Sequence, residues 1–70
     1  MEFEVSELVE AKRQIDSTIH KLRETVKTFE SKENASRYNS QITLAKRRME
    51  AFQISIFLIE REINNLEEKN

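Results

Sequence analysis

The chain has 70 residues, with 12 Lys+Arg against 13 Asp+Glu and no Cys, Gly, Pro or Trp. Without cysteine there are no disulfides and no cysteine-ligated zinc; a lone histidine cannot build a histidine-rich metal site, and a net charge of −1 lacks the basic excess of a typical nucleic-acid module. A chain this short buries little core and is marginal as a monomer, which leaves self-association as the remaining source of stability.

Reading from the N-terminus, Glu2, Glu4 and Glu7 precede no apolar segment of the kind a secretory signal needs. Apolar residues then recur at steps of three and four: Val5, Leu8, Ile15, Ile19, Leu22, Val26 and Phe29, with Lys12 filling one place in the ladder. That period predicts an amphipathic helix over residues 4–32. Ser6 is an alternative cap. Acidic residues in the first turns and Lys27 and Lys32 in the last suit the helix dipole.

Ser31 to Arg37 is a polar gap in which Asn34 and Ser36 are candidate caps for the next helix. Asn34-Ala35-Ser36 also matches the glycosylation pattern, a chance match in a chain without a secretory signal. A second ladder follows: Tyr38, Ile42, Ala45, Met49, Phe52, Ile56, Ile59, Ile63 and Leu66. It predicts a helix over 36–67.

So short a gap makes the helices antiparallel neighbours, and both ladders fit a register in which facing residue numbers sum to about 71. Phe29 then faces Ile42, Leu22 faces Met49, Ile15 faces Ile56 and Leu8 faces Ile63. The expected fold is all-α: a single domain, 1–70, forming a coiled-coil-like antiparallel two-helix hairpin.

The second helix carries more apolar surface than one seam uses. Leu44, Ala51 and Leu58 recur every seventh residue, and Ile54 and Phe57 add to them. Phe3 and Val9 could fold over a part; the rest would form a patch larger than monomers tolerate. The expected cover is a second hairpin, giving an antiparallel homodimer organised as a four-helix bundle, or else another helical protein. The interface residues are Leu44, Ala51, Ile54, Phe57 and Leu58. The charges agree with an antiparallel pairing. Glu2, Glu4, Glu7, Glu10, Glu60, Glu62, Glu67 and Glu68 crowd the open end, half offset by Lys12, Arg13, Arg61 and Lys69. Lys27, Lys32, Arg37, Lys46, Arg47 and Arg48 mark the loop end.

Three other features are candidates for chemistry. Arg37, Lys46, Arg47 and Arg48 could contact phosphates, which makes a nucleic-acid-associated regulator the alternative function. The slight net acidity and the missing groove-reading motif disfavour it. Asp16, His20 and Glu24 share one helical face, but point away from the seam and lack the orienting partners that a metal site needs. Lys12 either sets register or packs its stem while its amine reaches water, Glu60 or Glu62.

The segment Lys12-Arg13-Gln14-Ile15-Asp16 is faintly similar to the start of the first helix of the all-helical chorismate mutases. Its Arg-to-Ile spacing departs from that family, no third helix follows, and no polar residues converge inside the seam. The expectation is therefore a non-enzymatic protein–protein interaction module without cofactor or metal. The longest apolar stretch, Ala51 to Ile59, contains Gln53 and Ser55 and is too short to span a bilayer, so a cytoplasmic protein with no membrane contact is expected.

Overall fold

The computed structural model describes residues 2–68. Within them the chain forms α1 (Val5–Glu30), a 3-10 turn (Ala35–Tyr38) and α2 (Asn39–Glu68). The two helices pack against each other as an antiparallel hairpin. Its extents are 54 × 18 × 14 Å and its radius of gyration is 15.9 Å. A compact chain of this length would have a radius near 11 Å; the protein is a rod two helices thick.

The start of α1 is set by acid rather than by hydroxyl. Glu4 is extended (φ −78°, ψ 152°), and the Glu7 carboxylate accepts its backbone N–H at 3.0 Å. This places an acidic group against the free amides of the first turn. Ser6, the alternative cap, lies inside that turn.

At its other end α1 stops at Glu30, two residues short of the expected Lys32. The Ser31 hydroxyl donates to the Thr28 carbonyl at 2.9 Å, and the Ser31 N–H donates to the Lys27 carbonyl at 3.1 Å. A side chain that satisfies a terminal carbonyl gives the backbone an alternative to another helical turn.

The reversal uses no left-handed residue: among the described residues none has a positive φ. Asn34 (φ −110°, ψ 51°) turns the chain, and its backbone carbonyl accepts the Arg37 N–H at 2.9 Å. Neither expected cap works as one. Asn34 makes no side-chain capping bond, and Ser36 lies within the 3-10 turn, so α2 proper begins at Asn39. The turn serves Tyr38, whose ring stacks on Phe29 with centroids 4.8 Å apart and planes 20° apart. The Lys32 ammonium sits 5.6 Å above the same ring. A 3-10 turn is narrower and rises more steeply per residue than an α-turn. It carries Tyr38 to the head of the seam.

The side chains withdrawn from solvent are those of the two ladders, joined by the small residues Ala11, Ala35 and Ser55. Leu8, Ile19, Val26, Ile42 and Ala45 are buried; the other ladder residues are half-buried. The tightest cluster lies beside the turn, where Val26, Ile42 and Ala45 pack with Leu22, Phe29, Tyr38 and Met49.

Candidate protein interface

The face of α2 turned away from α1 is the candidate site. Successive residues on a helix are about 100° apart. On that count Ile54 stands about half a turn round from the middle of the seam formed by Phe52, Ile56 and Ile59. Phe57 and Leu58 lie on either side of it, and Ala51 and Leu44 continue the line toward the turn. Phe57 is 64% exposed, Ile54 57%, Leu44 49% and Leu58 46%. Ala51 is also exposed. These residues therefore lie along one apolar stripe, interrupted by Arg47, on the side of α2 that α1 leaves exposed.

Phe3 and Val9 do not cover it. Both are themselves exposed. Val9 instead lines a shallow groove of about 400 Å³ between the helices near the open end, with Lys12, Glu60, Ile63, Asn64 and Glu67. Sequence reasoning did not anticipate this groove. Its signal was Val9 itself, an apolar residue directly after the ladder residue Leu8. The groove is open to solvent, and its ammonium and one of its carboxylates are already joined to each other.

Charges rim the stripe. Arg47 and Arg61 lie one heptad before and after Ile54, on the same line. Arg48 and Glu62 flank it on one side and Glu50 on the other. Among the described residues, two ion pairs bridge the helices: Lys12–Glu60 at 3.0 Å and Glu30–Lys46 at 3.5 Å. Both lie along the same edge of the hairpin. Arg48 and Glu62 point to the opposite edge and have no ion-pair partner among the described residues. Lys69, expected to offset the open-end acids, lies outside the described residues.

The basic set is dispersed. Arg37 belongs to the 3-10 turn, and Lys46, Arg47 and Arg48, being consecutive, fan over about 200° of the helix. Lys46 is turned back to Glu30. Asp16, His20 and Glu24 are all exposed on α1. No group of three acids or histidines is placed to hold a metal ion among the described residues, and no described helix is long and apolar enough to cross a membrane.

Lys12 does what its long stem allows. It keeps its place in the ladder, half-buried, and sends its ammonium to Glu60. The hydrogen bond and charge of Glu60, helped by the charge of Asp16, raise its pKa above the ordinary lysine value. No family model, curated protein or solved structure matches this chain.

Proposed function

We propose that this chain is a non-enzymatic helical protein–protein interaction module, an adaptor, scaffold or regulatory subunit, whose outward α2 face docks another helix. The observation that carries this reading is the uncovered stripe of Leu44, Ala51, Ile54, Phe57 and Leu58. An exposed apolar stripe on so small a protein is costly to keep in water and is a common mark of an interface. The docked helix is contributed by a second hairpin or by another helical protein. The first gives an antiparallel homodimer of four helices. The cytoplasm is the setting we assign it as part of this reading.

Light scattering on a sizing column, across a range of concentrations, tests the reading. Phe57→Glu and Leu58→Glu should each dissociate the assembly while circular dichroism stays helical. An assembly that survives both substitutions would show that the stripe is not the docking surface. The competing reading, a nucleic-acid-associated regulator using Arg37, Lys46, Arg47 and Arg48, predicts binding that collapses with added salt. An apolar helix interface is not weakened by salt in that way.

A further inference from the structure

We infer that the occupant of the outward α2 face is a second copy of this chain, docked α2 against α2 in one antiparallel register that Arg48 and Glu62 specify. The inference rests on the docking reading above and adds the partner and the register.

The position of the stripe comes first. A square four-helix bundle needs each helix to present two apolar faces about a quarter turn apart. On α2 the stripe stands about half a turn from the seam. Two hairpins joined through it lie in a row, α1–α2–α2–α1, with each α2 sandwiched between its own α1 and the α2 of the other copy. This arrangement accounts for a feature α1 does not share: α2 is apolar on two opposite sides over Ala51 to Ile59.

The register follows from the stripe's own spacing. Residues 44, 47, 51, 54, 58 and 61 step by three and four, as a coiled-coil seam does. Laid antiparallel on itself, this line interleaves when facing numbers sum to about 105. The dyad then falls between Phe52 and Gln53. Ala51 sits against Ile54 of the second copy, and Leu44 packs between Leu58 and Arg61 of the second copy. The small Ala51 at the centre lets the two backbones approach; the Arg47 stem lies against Leu58 of the second copy and the Arg61 stem against Leu44, with their guanidinium groups outward.

Charge selects this alignment. On one flank, Arg48 meets Glu62 of the second copy, and the dyad repeats the pair. Among the described residues, both lie along one edge of the hairpin without an ion-pair partner. Along the line itself, Arg37 at the turn comes to Glu68 at the far end of the second copy's α2. On the other flank Glu50 meets its own copy, and Arg47, one turn earlier on the same helix, offsets that repulsion. A parallel pairing would instead set Arg48 beside Arg48 and Glu62 beside Glu62.

Charge reversal tests the proposal on the full chain. Arg48→Glu and Glu62→Arg are both exposed substitutions outside the intrachain seam, and circular dichroism should show each hairpin helical. Sedimentation equilibrium should find the wild type dimeric. Each single variant should dissociate about tenfold or more readily, because two attractive pairs become repulsive ones. The double variant should return to within about threefold of wild type. Single variants that dimerise as the wild type does, or a double variant that stays dissociated, would overturn the register. A wild type monomeric at every concentration would overturn the second copy as occupant. The docking reading has its own failure, an assembly indifferent to Phe57→Glu and Leu58→Glu, so the two are told apart.

Discussion

The Lys12 ammonium reaches across the hairpin to the Glu60 carboxylate at 3.0 Å, from the only position in either ladder that is not apolar. Both side chains keep substantial contact with water, so the pair contributes little net stability. A leucine at the same position would bury its whole side chain in the seam. Lys12→Leu should therefore raise the thermal midpoint by a few degrees. The same variant, run on a sizing column, reports whether the lysine also restricts the number of copies. A mixture of assemblies would assign it that role, and a single unchanged species would deny it.

The raised pKa of Lys12 fixes the sign of a pH effect. The folded protein holds the proton more tightly than the unfolded chain does. The stability this linkage contributes is complete below the unfolded lysine value and is lost as pH rises through the folded one. Comparison with Lys12→Met removes the contribution of the other lysines. The midpoint of Lys12→Met relative to wild type should be constant through neutral pH and should climb in the variant's favour above about pH 10.5.

The seam is not equally tight along its length. Ile42 is 9% exposed within the cluster beside the turn, whereas Ile63 near the open end is only half-buried. Ile42→Val should cost about 1 kcal/mol and Ile63→Val about half as much. Urea unfolding measures both, at one fixed protein concentration so that any association contributes equally to each measurement.

Tyr38 should matter more than its place in a connecting turn suggests. Tyr38→Ala removes the stack on Phe29 and the ring beneath Lys32, and should cost about 2 kcal/mol. Tyr38→Phe keeps the ring and should stay within about 0.5 kcal/mol of wild type. Equal losses in the two variants would place the contribution in the hydroxyl instead.

Hydrophobic periodicity made most of the hairpin legible. Every ladder residue from Val5 to Leu66 is withdrawn from solvent, because a three–four spacing leaves a helix only one side on which to bury. The helix ends were less legible. Glu4 opens α1 through a reciprocal arrangement with Glu7, where residue preference favours Ser6. The approach to α2 tightens into a 3-10 turn that ends at Tyr38, whose ring stacks on Phe29, a tertiary contact that preferences at Asn34 and Ser36 do not express. For the interface, the surplus of Leu44, Ile54, Phe57 and Leu58 could be read directly. Their position opposite the seam emerges only when the residues are placed around α2. That Arg48 and Glu62 have no ion-pair partner among the described residues depends on which edge of the hairpin Lys46 and Glu60 occupy, and that required the folded structure.

The cluster of Val26, Ile42 and Ala45 lies close to the turn along the chain as well as in space. Bringing Val26 to Ala45 closes a loop far shorter than bringing Leu8 to Ile63, an entropic advantage of about 1 kcal/mol. The hairpin should accordingly zip from the turn outward, with the Lys12–Glu60 bridge among the last contacts made and the first released. Amide hydrogens near the two open ends would then exchange well before those around Val26 and Ala45. The groove at Val9 and Ile63 occupies that late-closing end, so it is the last part of the hairpin to take shape.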